Sequence, residues 1–378
     1  SWLVVKSYNR KKVYLMINLT QVDKEFKSIL KKRGMLSNEM GTEISDSWAR
    51  CISNGLDPFK GPKKSVISNQ ELEEIRERKN DIRKIVIPEL ELLYSQVAGT
   101  NFMVAFSDSE GLVLDTIYDK TCLKTDVGKS VIPGSIWSEK ICGTNGLGLA
   151  VELQKPTIVS GKEHFFTNHE KLSCFASPIK NYDGKTIGII DASTDARSRE
   201  QHTLALVNLA TRSIETKLFI NKFANELILS FHPRQEYLST TSVGLLAING
   251  DGIIVGSNTN AKIMLHGLVD LKNQNFNNIF TSSFSSIATD LLNNKILKIT
   301  DYLGSSVFVI KSQNLKPTQN TEVITKNKTY ACDCCKDTKI KREKCILIRS
   351  TFSESNNISI ASRKLGVSRN TIYKHIKK

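Results

Sequence analysis

The chain has no run of about 20 uninterrupted apolar residues, the length a helix needs to cross a bilayer, so its sequence offers no membrane-spanning helix. The opening SWLVVKSYNRKKVYLMINL has an apolar patch at Val13 to Ile17, but a basic cluster interrupts it and no small-residue cleavage site follows. A secretory signal is therefore not expected, and the missing initiator Met leaves the natural start open. A disulfide framework is also lacking. Four of the eight cysteines, Cys51, Cys122, Cys142 and Cys174, are scattered singly, so reduced thiols in a cytoplasmic protein are the expectation. Acid is in deficit: 53 Lys and Arg face 38 Asp and Glu, for a net charge of +15. From Lys311 onward sixteen basic residues face five acidic ones, a net +11, which leaves about +4 for the first 310 residues. An excess so placed suits phosphate neutralisation with counterion release, although a basic tail can also be solubilising charge.

A nucleotide-cradling P-loop is absent as well. That loop needs two glycines five apart before its Lys, so that backbone N–H groups can surround the phosphates. The Gly128-Lys129-Ser130 triplet has Leu123 at the position five before Gly128, and it reads as a turn.

What is present is most legible at the C-terminus. Ile358, Ala361 and Leu365 recur at helical spacing, Gly366 breaks the pattern, and Val367, Ile372 and Ile376 resume it. Ser359 and Ser368 stand where the two helices would begin, each hydroxyl able to accept from a first-turn N–H. Packing Ile372 and Ile376 inward leaves Arg369, Asn370, Tyr373, Lys374 and Lys377 outward, a face suited to the major groove. Asn357, Ser359, Ser368 and Thr371 complete the expected DNA-contacting set. The alternative is a helical hairpin that caps the domain with a solvated charged face. The stretch resembles the Fis-type helix-turn-helix that ends sigma-54-dependent activators, N-x-S-x-A-A-x-x-L-G-[IV]-S-R-x-T-[LI]-Y, and departs from it only at Ser362.

Earlier in the chain, VDKEFKSILKKRG (Val22 to Gly34) and the stretch from Ile44 to Phe59 read as amphipathic helices, and Glu71 to Leu93 as a longer, charge-dense one. The period then changes. Asn101 to Phe106, Gly111 to Thr116, Thr157 to Gly161, Leu172 to Ile179 and Thr186 to Asp191 read as strands, with one helix between Ile136 and Gln154 and another from Arg199 to Asn225. SDSWARC, GLDP, DSEG, PGSIWSEKICGTNGLGLAV, KPTIVSGKEHF and CFASPIKNYDGKTIGIIDAS resemble the GAF domain of bacterial regulators of acetoin and of glycerol or dihydroxyacetone metabolism, over about Ile44 to Phe219. A linker from Phe231 to Thr241 leads into GLLAINGDGIIVGSNTNAKIMLHG, which has a hairpin signal at Asn249 to Gly252 and resembles a degenerate PAS domain.

Together these give an α+β multidomain protein. The expected divisions are an N-terminal helical segment (1–43), a GAF sensor domain (44–225), a PAS-like α+β domain (236–311), a basic Cys-containing linker (312–345) and a small all-α helix-turn-helix (346–378). In most relatives of this kind an AAA+ ATPase lies between the last two domains. About forty residues stand there in this sequence, and the GAFTGA loop that contacts sigma-54 is absent too.

A GAF cup holds a small ligand between its sheet and an overlying helix. Trp137, Glu139, Cys142, Thr144, Asn145, Glu163 and His164 are the candidate ligand-binding positions. Each has a structural alternative: Trp137 as core, Gly143-Thr144-Asn145 as a cap, His164 as a satisfied structural histidine. Cys142 with His164 invites a thiol-nucleophile reading, but no orienting group or oxyanion donor is identifiable, so no enzyme is expected. Cys332, Cys334, Cys335 and Cys345 lie within fourteen residues, yet Cys-x-Cys-Cys fits zinc spacing poorly, and neither a metal nor a cofactor is assigned. The expected partners are double-stranded DNA, a small effector and a second copy of the chain, with RNA polymerase or a related AAA+ regulator as further candidates. The expected function is a sequence-specific transcription regulator without its own ATPase. The alternative is a non-ATPase partner or competitor of a full-length activator.

Overall fold

The computed structural model describes residues 22–35, 40–63, 65–97, 102–118, 128, 130–195, 200–265, 271, 273–312, 348, 351–352 and 358–376. Two compact units divide the chain, residues 1–314 and 315–378.

The first unit is built on two antiparallel sheets. In one, β1 (Met103–Asp108), β2 (Val113–Tyr118), β3 (Thr157–Ser160), β4 (Ser173–Lys180) and β5 (Thr186–Thr194) take the order β2-β1-β5-β4-β3, with the last strand in sequence at the centre. Alternation along the strands sends successive side chains to opposite faces. Val104, Phe106, Phe175, Ile190 and Ala192 enter one core, while Met103, Ala105, Cys174, Ala176 and Ile189 enter another.

Helices cover both faces. The apolar core lies under α3 (Asn69–Arg78), α4 (Asn80–Gln96) and α7 (Glu200–Lys222), which bring Leu72, Val86, Leu90, Val207 and Ile214. Ser68 starts α3 by accepting from the Glu71 N–H at 3.2 Å. The single helix expected over Glu71 to Leu93 is two, because the backbone leaves helical geometry at Lys79 (φ −101°, ψ 15°). On the other face lie α5 (Glu139–Cys142) and α6 (Gly146–Leu153), where one helix was expected between Ile136 and Gln154. Asn145 ends the break by capping α6, its Oδ1 accepting from the Gly148 N–H at 2.8 Å. A third cluster joins α1 (residues 22–33) and α2 (Thr42–Ser53) to this side through Ile29, Leu30, Trp48, Phe165 and Phe166.

The second sheet has the order β8-β7-β6-β10-β9, from β6 (Leu227–His232), β7 (Gly244–Ile248), β8 (Ile254–Ser257), β9 (Leu297–Thr300) and β10 (Ser306–Lys311). The hairpin around Asn249 to Gly252 joins β7 to β8, and Asn258 caps α8 (Thr259–Met264) by accepting from the Ala261 N–H. The linker expected from Phe231 is corrected here: Phe231 is fully buried in β6, the central strand, so the second sheet begins before residue 236. Phe276, Phe280 and Leu291 of the 3-10 turn and α9 (Phe284–Leu292) fill one of its faces. The other face receives the end of α7: Phe219, Ile220 and Phe223 pack on Ile228, Leu245 and Ala247. One helix therefore contributes to the core of both sheets.

The second unit holds α10 (Ile358–Leu365) and α11 (Arg369–Ile376). Gly366 makes the turn between them at φ +61°, a left-handed conformation that costs a side chain most and glycine least. Ala361 and Ile372 bury against each other's surroundings with Ile348, flanked by Ile358, Leu365 and Val367. Ser368 caps α11, its hydroxyl oxygen accepting from the Thr371 N–H at 3.1 Å. Ile358 is already helical, so Ser359 lies inside α10 and not at its cap. Ser362, the departure from the repeating pattern, donates to the Val367 carbonyl at 2.6 Å across the turn.

Candidate functional site: the covered face of the first sheet

The sequence-chosen residues fall into two groups around α5 and α6. Glu139 is the most heavily tied. It is buried, its Oε1 accepts from the Ser47 hydroxyl at 2.6 Å, and Arg50 clasps it with Nε at 2.8 Å and Nη2 at 2.9 Å. The bond to Glu139 in turn raises the Arg50 guanidinium above its usual value. Thr144 shares the Ser47 hydroxyl at 2.6 Å. Asn145 donates to the carbonyls of Trp137 and Gly143 at 3.1 and 2.8 Å. These three hold α5, α6 and α2 together, and their polar atoms are spent on that.

Trp137 is buried, donates its Nε1–H to Ser135 Oγ at 3.1 Å and lies 5.3 Å from the His169 ring. Cys142 donates its thiol to the Ile136 carbonyl at 3.2 Å, and burial pushes that thiol up to about 12. Glu163 closes a capping box with Ser160, and burial raises its carboxyl. The Cys142–His164 pairing does not form. His164 instead places Nδ1 at 3.1 Å from the Gly161 carbonyl and Nε2 at 3.4 Å from Cys174 Sγ, an arrangement in which Nδ1–H donates and the Cys174 thiol donates to Nε2. Burial, with His169 nearby, lowers His164 to about 3, so it is the neutral imidazole. The thiol of Cys174, raised to about 12 by burial, is likewise un-ionised. Nothing here forms an activated nucleophile.

Several residues of this face were missed by sequence reasoning. Asp191 and Ser193 follow Ile189 on the covered side of β5; Ser193 donates to Asp191 Oδ2 at 2.5 Å and sits 3.2 Å from Cys174 Sγ. Burial lifts the Asp191 carboxyl to about 7. His169, which burial lowers to about 4, reaches in from the segment after β3. Two atoms among these are sealed and unpartnered: Asp191 Oδ1 and His169 Nδ1. The available signal was the phase of the strand, since an acid in step with Ile189 must face the same core as the cup residues.

The segment carrying His164 and His169 is pinned from outside by Arg33 of α1. That side chain is buried, donates to the carbonyls of Lys162, His164 and Phe165 at 3.0 to 3.1 Å, pairs with Glu170 at 2.8 Å and stacks 4.7 Å from the Trp48 ring. Trp48 adds a bond from Nε1 to the Glu163 carbonyl at 2.8 Å.

In the second unit, Ser368, Arg369 and Tyr373 are exposed, with Tyr373 46% accessible, and Thr371 is half-buried. Asn370 and Lys374 lie on α11. Asn357, Lys377 and the cysteines 332, 334, 335 and 345 lie outside the described residues. Among the described residues no cluster of three metal-ligating side chains occurs, and no helix is long and apolar enough to cross a membrane.

Residues 64–216 match the family model for the MimR N-terminal domain. A signal-transduction and transcriptional-control protein of Clostridium beijerinckii is 29% identical over 240 residues, covering 63% of this chain and 38% of that protein. The acetoin catabolism regulatory protein of Cupriavidus necator is 31% identical over 229 residues, 59% of this chain and 34% of its own length. The chain is similar to regulators of acetoin and glycerol metabolism. It aligns with only about a third of the length of either relative. The region matched by the family model contains both faces of the first sheet, including Asp191 and all seven expected ligand positions. Among solved structures, the E. coli DhaR(N)–DhaL complex covers 71% of this chain and 98% of its own at 14% identity, with a TM-score of 0.44.

Proposed function

We propose that the chain is a sequence-specific DNA-binding transcription regulator without ATPase activity of its own, in which a GAF-like sensor cup on the first sheet responds to a small metabolite. The second sheet is the PAS-like domain in this reading, and α10 with α11 is a Fis-type helix-turn-helix. The observation that carries the reading is the second unit: a short helix pair whose apolar side is closed by Ala361 and Ile372, with Arg369 and Tyr373 turned to solvent at the start and middle of the second helix. Arg at that position suits bidentate readout of guanine, and the basic C-terminal segment supplies phosphate contacts. The names of the relatives, regulators of metabolic operons, agree with it.

The mechanism follows from α7. Its first half lies in the core of the first sheet and its end in the core of the second, so a shift of the first sheet's packing is delivered mechanically to the second. In a homodimer, such a shift changes the spacing of two recognition helices, which half-sites about one helical turn apart would register. Replacing Arg369 by Ala is expected to reduce discrimination between sites by about 1–3 kcal/mol, and replacing Lys377 by Ala to weaken all DNA about equally. Competition binding with specific and scrambled duplexes separates the two. Unchanged discrimination in the Arg369 variant would remove the recognition-helix assignment.

A further inference from the structure

The outer edge of the first sheet is closed for only part of its length. β3 pairs with Ser173 to Ala176 of β4 and stops there, while β4 runs on to Lys180. An open edge commonly recruits another strand, but these last positions are poor templates for one. Pro178 has no N–H, and the N–H of Lys180 is taken by the Glu215 carboxylate of α7 at 2.7 Å. In place of a strand there is a cleft of about 220 Å³ between this edge and α8 of the second sheet. Lys180, Arg212 and Glu215 line it from the first sheet's side, and Thr259 and Ile263 from the other. None of the seven expected ligand positions borders it.

Several polar groups around the cleft are already engaged. Ser177 and Thr211 share a hydrogen bond at 3.2 Å, Asn258 and Asn260 donate to the carbonyls of Val243 and Thr241 at 3.0 and 3.2 Å, and Lys155 pairs with Glu43. Two cations are not engaged. Among the described residues, neither the Lys180 ammonium nor the Arg212 guanidinium has a hydrogen-bond or ion-pair partner. Burial raises the Glu215 carboxyl, and the nearby charges of Arg212 and Lys180 act against that rise. Two positive charges therefore face one negative charge across the cleft. The hydroxyls of Thr216 and Thr259, which also line it, are likewise unbonded among the described residues. Uncompensated like charge lining a concave surface draws in an anion, which relieves it.

We propose that this cleft binds a compact phosphomonoester with a hydroxylated body, its phosphate held between Lys180 and Arg212. A guanidinium fork matches two phosphate oxygens, and a lysine ammonium meets a third as a point charge. A neutral polyol would leave both cations as they are. A carboxylate brings one charge and two oxygens, which satisfy the fork and leave Lys180 unmet. The small volume holds the body below the size of the molecules that fill sites of about 300–1,000 Å³. Because the walls belong to the two sheets, an occupied cleft fastens α8 to α7, beside the packing of Phe219 and Phe223 that already joins them. The site stands apart from the effector cup and from the helix pair, and depends on neither reading.

The test uses the full chain and three probes on one carbon frame: ribose 5-phosphate, ribonate and ribose, titrated by calorimetry at constant ionic strength. Saturable binding of the phosphate ester is expected, with ribonate at least about tenfold weaker and ribose not bound. Arg212→Ala and Lys180→Ala should each weaken the ester at least about tenfold, the loss of one charge-assisted contact. Glu215→Gln keeps an acceptor for the Lys180 N–H and removes the opposing charge, so it should tighten binding about two- to fivefold. Lys298→Ala, at an exposed lysine of β9, should change nothing. Each variant is checked by a cooperative thermal transition, and if one cation variant does not fold the other decides. No saturable binding of the ester, equal binding of ribonate or ribose, undiminished binding in a folded Arg212 or Lys180 variant, weaker binding in Glu215→Gln, or an equal loss in Lys298→Ala overturns the proposal.

Discussion

The two faces of the first sheet are made by alternate residues of the same strands, and they are built to different ends. On one face Val104, Phe106, Phe175, Ile190 and Ala192 meet the apolar sides of α4 and α7, and the buried polar groups there are partnered, Ser177 with Thr211 and Glu89 with Ser213 and Lys217. On the other, one residue along, stand Met103, Ala105, Cys174, Ala176, Asp191 and Ser193, beneath two helices of four and eight residues. The first face gains most from burial and has the long helices; the second carries the unspent hydrogen-bonding capacity and the short ones. Size and apolarity are concentrated on the first face, and small and polar side chains on the second.

The comparison can be broken most forcefully at Phe175. It is fully buried on the apolar face, so Phe175→Ala should cost about 3–5 kcal/mol in urea unfolding, the usual cost of deleting a core aromatic. A loss under about 1 kcal/mol would mean that this face does not carry the fold. A smaller loss, about 1–3 kcal/mol, is expected for Glu139→Gln, which keeps the shape but leaves Ser47 and Arg50 without their ionised acceptor.

The gentlest effect is a pH slope, about 1 kcal/mol per pH unit, and concerns Asp191. Its carboxyl titrates near 7 in the fold against 3.8 for a free side chain, so the folded state holds the extra proton and this group's contribution to stability falls as pH rises between those values. His164 and His169 act oppositely. They are lowered to about 3 and 4 from 6.5, so the unfolded state takes up protons first and stability falls as pH drops through that window. Two histidines outweigh one carboxyl, so the wild-type chain should gain stability as pH rises from about 4 to 6.5, and Asp191→Ala should rise more steeply over the same range. Parallel profiles for the two would show that Asp191 titrates normally.

The strands of the first sheet were legible because alternation of apolar residues survives on its apolar face, and the hairpin of the second because Asn-Gly-Asp-Gly forces one. The strand β6 was not. Leu227 to Phe231 is a short apolar run that periodicity cannot separate from the end of the preceding helix, and the Pro and charges that follow look like a linker. The family motif pointed to Glu139, Thr144 and Asn145, whose polar atoms join α5, α6 and α2, while a buried acid with an unpartnered oxygen lay in IIDAS as one polar letter in a strand. Partnering is a matter of three dimensions: Glu139 and Asp191 are both buried acids, and only the positions of Arg50 and Ser47 distinguish them.

The central claim, that this chain selects DNA through its last two helices, is tested most directly by selecting bound fragments of its own genome at near-physiological salt, with the full chain and with a chain ending at residue 345. Enrichment of a few palindromic sites that disappears on truncation is the expected result. Binding that is uniform along the genome, or that persists without α10 and α11, would contradict the claim and favour a protein that acts through a partner regulator.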